Sequence, residues 1–475
     1  MNTIYSPFAG FVLFAWLPIV IGIFAANQSA RRAIIIAFVS AWLFLPMATM
    51  HFAGLPSYDK MSATCGGVLL AALIFDSKRM FNLGFMPSIV DIPMIIWCLC
   101  PIGTAMANDP ELTTHDGISW ALQQTITWGL PYLIGRIYFS DRQGLRDLAK
   151  AIFIGGLIYM PLCLFEIRFS PSLHFNIYGY YQHSLGQQLR SNGFYRPLMF
   201  LEHGLAVGLY MANATLAGIW LWWTGALKKL WGYSTGWMLW AMGITTILCQ
   251  SWGAMFLFMG GLACLFCYKY LRSGILLIVL LAIPPAYVSS RIIFQWHGGG
   301  FEQVLLKLTD PARTQSMMYR VQNEEEILKR AMQHPWFGWG NYARAFQVRG
   351  YSIFDLIYTP DSLWINAFGP YGWVGLGSLL ALGIPLLFLR VPKKQWAAPD
   401  NAGVVIFAVF FALYQLDNMS NDMANPLFVL GLGGVCGLIA NGALKQQATN
   451  AGRVIDDPAL FALEGDRDGL YAAMA

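Results

Sequence analysis

Apolar segments long enough to cross a lipid bilayer recur along the whole chain. A bilayer-spanning helix needs about 20 mainly apolar residues. Only 12% of the residues are charged and 57% are hydrophobic, whereas a soluble domain carries about 25% charged residues. The sequence therefore predicts an all-α polytopic membrane protein with about 12–13 transmembrane helices. The thirteen segments lie near 8–26, 33–50, 62–76, 92–107, 119–139, 151–166, 198–224, 232–250, 253–270, 274–290, 362–389, 401–416 and 425–443.

Basic residues follow every odd-numbered segment, beginning with Arg31 and Arg32 after the first and Lys78 and Arg79 after the third. Positively charged short loops stay on the cytoplasmic side, so we expect the N-terminus outside and the C-terminal tail inside. The charge of +5 thus reflects topology, and we expect no nucleic-acid partner. The predicted regions are N-terminal helices in 1–150, central helices in 151–290, a large external loop in 291–361, C-terminal helices in 362–443 and a tail in 444–475.

The first long external loop, 167–197, contains three arginines, Arg168, Arg190 and Arg196, and neither Asp nor Glu. Exported loops need no positive charge for their orientation. An anionic ligand at the outer surface is the simplest reason for this excess. Binding of lipid headgroups is the plainer alternative.

The second external loop, 291–361, contains the segment "TQSMMYRVQNEEEILKRAMQHPWFGWG". Its apolar residues recur at helical spacing, Thr314 or Ser316 suits a helix start, and Pro335 with the following glycines suits its end. We predict an amphipathic helix with Arg313 and Arg320 near its N-terminal end. Helix N-termini and arginines both favour phosphate.

Four segments together resemble the O-antigen ligase and polymerase superfamily, bacterial inner-membrane glycosyltransferases of GT-C type. Each motif is short, but the four occur in the family's order, with the largest loop outside. The segments are "PYLIGRIYF" (131–139), "RSNGFYRPLMFLEHGLAVGLYMA" (190–212), "YRVQNEEEILKRAMQHPWFGWGNYARAF" (319–346) and "DSLWINAFGPYGWVGLG" (361–377).

The resemblance implies transfer of a glycan from undecaprenyl pyrophosphate at the outer face of the inner membrane, with the N-terminus periplasmic. An acceptor hydroxyl attacks the anomeric carbon and the lipid pyrophosphate leaves. We expect a donor glycan, a glycan or lipid-linked acceptor and membrane lipids as partners, together with chain-length regulator and export proteins. Because the leaving group is already activated, we expect no cofactor and no metal.

Two positions depart from the family pattern. The family's His-Asn pair reads Asp361-Ser362 here, and its Ser-Arg-Gly stretch reads "QSWGA" at 250–254. In the family's ligases that histidine is the usual candidate for activating the acceptor. Its replacement favours a polymerase of exopolysaccharide, capsule or O-antigen repeat units over a ligase that uses lipid A core or another acceptor.

The reaction needs positive charge at the departing pyrophosphate, and guanidinium groups grip phosphate in a bidentate manner. We predict this role for Arg190, Arg196, Arg313 and Arg320. An acceptor hydroxyl also needs a general base or an orienting acceptor.

The candidates for that base are Glu202, Asp361 and His203. If the seventh span begins near Pro197, Glu202 lies roughly 7 Å inside its outer end. Plainer roles stay open: Glu202 as a partner of Arg196, Asp361 as a helix cap, and His203 as a satisfied buried imidazole.

Two other classes of function compete with the transferase. A transporter or flippase would have inverted repeats and interrupted spans in corresponding positions of its two halves, and the sequence has no such repeats. A non-catalytic assembly subunit would tolerate replacement of the outer arginines.

Overall fold

The computed structural model describes residues 6–52, 55–81, 87–109, 111–190, 192–308, 311–340, 342–346, 360–389 and 391–442. Of the described residues, 73% are helical. The strands among them are β1 (Lys229–Leu230) and β2 (Tyr233–Ser234), which form one antiparallel hairpin. The predicted all-α architecture is therefore confirmed. The predicted tail, 444–475, lies outside the described residues.

The helices follow one another along the whole described chain. They are α1 (Pro7–Ala26), α2 (Ala30–Phe44), α3 (Lys60–Phe75), α4 (Ser77–Phe81), α5 (Ile92–Ala107), α6 (Thr114–Gln124), α7 (Leu130–Tyr138), α8 (Arg142–Phe169), α9 (Leu173–Tyr178), α10 (Gly204–Trp223), α11 (Thr235–Leu248), α12 (Trp252–Phe266), α13 (Ile275–Ile292), α14 (Phe301–Leu308), α15 (Pro311–Ala331), α16 (Tyr342–Phe346), α17 (Leu363–Ala381), α18 (Ile384–Leu387), α19 (Ala402–Asp417) and α20 (Pro426–Ala440). A π-helical turn, Thr125–Gly129, joins α6 to α7.

Each predicted span coincides with a helix, but the helices differ in length and hydropathy. Within the described residues, eight helical segments are long and apolar enough to cross a membrane, and three shorter ones, α3, α11 and α20, are also apolar. The protein is thus a multi-pass membrane protein. The count of thirteen crossings remains a prediction.

The junctions between successive predicted spans fall on two opposite faces. The face that carries the junctions after even-numbered spans is called the loop face. The face that carries the junctions after odd-numbered spans is called the basic face. Contacts join the junctions of the loop face to one another: Met47 with His174, Asn108 with Gly338, and Arg320 with Ser420. Contacts on the basic face join Arg31 with Asp141, Arg79 with Ile137, and Arg146 with Asp400. This segregation is what alternating crossings require.

Helices α10 and α19 lie at the centre of the bundle. In their apolar segments, 89% of the residues of α10 and 83% of those around α19 are buried. Close backbone approach holds α7 against α20. A Cβ at Gly433 would collide with the carbonyl of Tyr132, and one at Gly135 with that of Leu430. Small residues at helix crossings let membrane helices pack closely.

The prediction that the seventh span begins near 198 is wrong, because α10 begins only at Gly204. Residues 197–203 run in irregular turns, with Met199 at a φ of 54°. Pro197 cannot donate a backbone hydrogen bond, and the amides of Leu198 and Met199 are bound by a side chain of α8. Glu202 and His203 therefore precede the helix instead of lying one turn inside it.

The predicted amphipathic helix of the large external loop is present as α15. It begins at Pro311, before both predicted caps, Thr314 and Ser316, since proline suits the first turn of a helix. Its own residues Val321 and Ile327 are buried. The following "WFGWG" stretch packs on α17, where the amide of Gly340 donates to the carbonyl of Pro370 at 2.9 Å.

Candidate functional site

A tight hairpin places two of the predicted arginines side by side on the loop face. Leu189 pairs with Tyr195 in antiparallel fashion, and the amide of Arg196 donates to the carbonyl of Gln188 at 2.8 Å. Gly193 makes the turn at a φ of 79°. Residues two apart on a strand, and residues opposite each other on paired strands, share a face. Arg190 and Arg196, six apart in sequence, therefore lie on the same side of the hairpin.

A buried carboxylate at the end of α8 anchors the loop that carries this hairpin. Glu166 is fully buried. Its Oε1 accepts the amide of Leu173 at 3.0 Å, and its Oε2 accepts the amides of Leu198 and Met199, each at 2.8 Å. Because the carboxylate binds both ends of the loop, it fixes the loop's position above the bundle.

Arg196 lies across the N-terminal end of α10. A Cβ at Gly204 would overlap Cγ and Cδ of Arg196 and come within 2.9 Å of Oε1 of Gln188. The Nη2 of Arg196 donates to the carbonyl of Gln250 at 3.4 Å. Gln250 occupies the short junction between α11 and α12, at a φ of 51°. Arg196 thus connects the hairpin, α10 and this junction.

His203 marks the point where three predicted arginines converge. Its Nδ1 accepts the amide of Leu205 at 3.0 Å and caps α10. Burial, then the nearby His183, and then the positive charges of Arg196, Arg320 and Arg190 together lower its pKa to about 3. The imidazole is therefore neutral, with its proton on Nε2. This tautomer disfavours the predicted role of general base and suits a hydrogen-bond donor.

Arg320 reaches the site from α15 and forms an ion pair with another predicted residue. Its Nε lies 3.2 Å from Oδ2 of Asp361, and its Nη1 donates to the carbonyl of Ser420 at 2.9 Å. Both side chains of the pair keep contact with solvent, at 29% and 45% exposure. The structure therefore joins α15, the start of α17 and the junction between α19 and α20 at this arginine.

Two carboxylates, Glu202 and Asp422, lie near each other on the loop face, beside His203 and the arginines. Glu202 and Asp422 are both reachable by water, yet protein surrounds them closely. Loss of bulk water raises the pKa of Asp422 to about 6, opposed by a hydrogen bond at 2.6 Å from Asn366. The same loss raises the pKa of Glu202, and the negative charge of Asp422 raises it further, while Lys60 opposes both.

The structure thus brings together Arg190, Arg196, Arg320, Glu202, His203 and Asp361. Arg313 lies in the first turn of α15, but its side chain is outside the part that the structure describes. Arg168 is exposed at the end of α8, where it lies over the ring of Phe169.

Sequence reasoning missed Asp422, Glu324 and Glu166. Asp422 belongs to "DNMSND", which the charge pattern identified only as a junction without basic residues. Glu324 has a clearer signal: it lies three residues from both Val321 and Ile327, on the apolar side of α15. A carboxylate at that position must be paired or hydrogen-bonded.

Comparison with known proteins gives one family. Residues 237–380 match the model of the O-antigen ligase family, Wzy_C, a segment that begins in α11 and ends in α17. No curated protein matches the chain. The match contains Arg320 and Asp361, while the hairpin arginines and Asp422 lie on either side of it. Residues 237–380 are therefore similar to the O-antigen ligase family, and the resemblance to the O-antigen ligase and polymerase superfamily is confirmed over this part of the chain.

Proposed function

We propose that the protein polymerises oligosaccharide repeat units carried on undecaprenyl pyrophosphate, at the periplasmic face of the bacterial inner membrane. The observation that carries the proposal is the convergence of Arg190, Arg196 and Arg320 around a neutral His203, beside an open pair of carboxylates. The proposal places the loop face and the N-terminus in the periplasm and the tail in the cytoplasm, which is the orientation that the positive-inside rule predicts.

The cationic half of the site would hold the pyrophosphate. Three guanidinium groups offer several N–H donors in a fixed geometry, and they remain charged at any physiological pH. As the glycosidic bond breaks, negative charge develops on the leaving pyrophosphate, and prearranged donors stabilise that charge in the transition state. Because the arginines supply the charge, the proposal includes no metal and no cofactor.

The acidic half would hold the acceptor. A hydroxyl on the acceptor sugar donates to Glu202 or Asp422 while its oxygen attacks the anomeric carbon. The proton passes to the carboxylate as the new glycosidic bond forms and the pyrophosphate departs. Raised pKa values bring carboxylates closer to the operating pH of a general base, and two neighbouring carboxylates titrate as a pair.

Asp361 is a weaker candidate for the base than Glu202 and Asp422, because its Oδ2 is already in contact with the guanidinium of Arg320. Its presence where the family's ligases have histidine favours the polymerase. A ligase that transfers the finished glycan to lipid A core or another acceptor is the alternative, with the same donor site. Chain-length regulator and export proteins are the partners that a polymerase would need.

Product length tests the proposal. Purified protein is given undecaprenyl-pyrophosphate-linked repeat units from the host, and the glycan is separated on a gel. We expect a ladder of repeats that Arg196→Ala abolishes and that Arg168→Ala, an exposed arginine of the same face, leaves intact. Transfer only to added lipid A core would establish the ligase. Absence of transfer to every acceptor would refute both.

A further inference from the structure

A buried carboxylate on α15 lies just outside the proposed site and binds none of the cationic residues that converge on His203. Glu324 is 6% exposed. Its Oε1 accepts the hydroxyl of Ser362 at 2.7 Å and the indole N–H of Trp364 at 3.0 Å. Its Oε2 accepts the hydroxyl of Tyr287 at 2.8 Å and lies 3.8 Å from Nε of Arg291. Both oxygens are therefore occupied.

The four groups around Glu324 come from two other helices. Tyr287 and Arg291 belong to α13, whereas Ser362 and Trp364 belong to the start of α17. Arg291 also donates to the carbonyl of Val321 on α15 at 2.7 Å. One carboxylate thus holds the external helix α15 between α13 and α17, at the point where α17 enters the bundle.

Glu324 and its partner Ser362 each lie close in sequence to one member of the ion pair between Arg320 and Asp361. Arg320 lies four residues before Glu324, one helical turn away on the same side of α15. Asp361 directly precedes Ser362. We infer that Glu324 is a positioning residue, which sets the place of Arg320 and Asp361 in the site by docking α15 on α13 and α17. The inference rests on the proposed function.

Replacement of Glu324 by glutamine removes the charge and one hydrogen-bond acceptor of the side chain but keeps its shape. A glutamine has nearly the same size, and its one amide oxygen can still accept from Ser362 and Trp364. Its NH2 group, however, cannot accept from Tyr287 and turns two donors toward Arg291. Loss of an acceptor leaves buried donors unpaired, which is costly. The helix should remain folded but dock less firmly.

The test compares Glu324→Gln with Glu326→Gln, an exposed glutamate on the same helix that pairs with Lys329. Glycan transfer is measured with the undecaprenyl-linked repeat units, and hydrogen–deuterium exchange is followed in residues 311–331. We expect Glu324→Gln to lower kcat at least 10-fold and to increase exchange in α15, with Glu326→Gln unchanged in both. Ser362→Ala, which removes a single donor, should have a smaller effect of the same kind. Wild-type kcat in Glu324→Gln would overturn the inference.

A double substitution distinguishes positioning from a general loss of stability. If Glu324 acts through Arg320, adding Glu324→Gln to Arg320→Ala should lower kcat no further. A multiplicative loss would show that Glu324 acts elsewhere. If the wild-type protein transfers no glycan, the proposed function fails, while exchange in α15 still reports whether Glu324 docks the helix.

Discussion

The guanidinium of Arg320 and the carboxylate of Asp361 form an ion pair, with Nε 3.2 Å from Oδ2. The sequence suggested separate tasks for them, phosphate binding for the arginine and proton acceptance for the aspartate. Their contact makes them one unit. Because the carboxylate of Asp361 is already engaged by the guanidinium, the pair suits charge placement better than proton transfer.

Substitution of Arg320 should therefore lower kcat more than substitution of Asp361. Arg320→Ala removes a donor to the leaving group and should lower kcat about 100- to 1,000-fold, as loss of one oxyanion-hole donor does. Asp361→Asn should lower kcat less than 10-fold, because the carbonyl of Ser420 still holds Arg320. Single-turnover rates with a lipid-linked donor measure both. A loss of 100-fold or more in Asp361→Asn would restore Asp361 as the base.

The two neighbouring carboxylates, Glu202 and Asp422, should control the dependence of transfer on pH. The pKa of Asp422 is raised to about 6, so protonation below that pH would remove a proton acceptor. We expect kcat/KM to fall as the pH drops through about 6. In Asp422→Asn the neighbouring charge that raises the pKa of Glu202 is gone, so any remaining acid limb should move to lower pH. An unchanged profile in both Asp422→Asn and Glu202→Gln would exclude the pair as the base.

His203 offers a second test of protonation. Because burial and its cationic neighbours keep the imidazole neutral, no change in rate near pH 6.5 should belong to this residue. Asparagine is a good helix cap, so His203→Asn should keep α10 capped while losing the ring's Nε2–H. We expect a lower kcat with the shape of the pH profile retained. Loss of one limb of the profile in this variant would identify His203 as a titrating catalyst.

The sequence revealed the helices well, because bilayer-length apolar runs allow few alternatives. It also singled out Arg190 and Arg196, from the excess of positive charge in a loop predicted to be external, and Arg320, from its place near the start of the predicted amphipathic helix. It could not identify Asp422, whose short junction shows no pattern until α17 places Asn366 beside it. The start of α10 was misplaced for a similar reason: the amides of 198 and 199 bind Glu166, a partner about thirty residues away.

Glu166 should matter for stability more than its position near a helix end suggests. Glu166→Gln keeps the size of the side chain but turns an NH2 group toward backbone amides that need acceptors. Hydrogen bonds to a charged group contribute more than neutral ones. We expect the free energy of unfolding in detergent to fall by about 2–3 kcal/mol. Glu111→Gln, which breaks an exposed ion pair with Arg344, should change it by less than about 1 kcal/mol.

The contact between Gly204 and Arg196 allows the arginine to be displaced without being removed. A Cβ at Gly204 would overlap Cγ and Cδ of Arg196, so Gly204→Ala should push the guanidinium away from Gln250 and lower glycan transfer at least 10-fold. Alanine favours helix formation over glycine, and the fold should therefore persist. Gly243→Ala is the matched control, because a Cβ at Gly243 on α11 meets nothing within 4 Å. Equal transfer by both variants would mean that the exact position of Arg196 is unimportant for the reaction. A deficit confined to Gly204→Ala, with both proteins equally stable, would locate the requirement at the arginine and not in the helix.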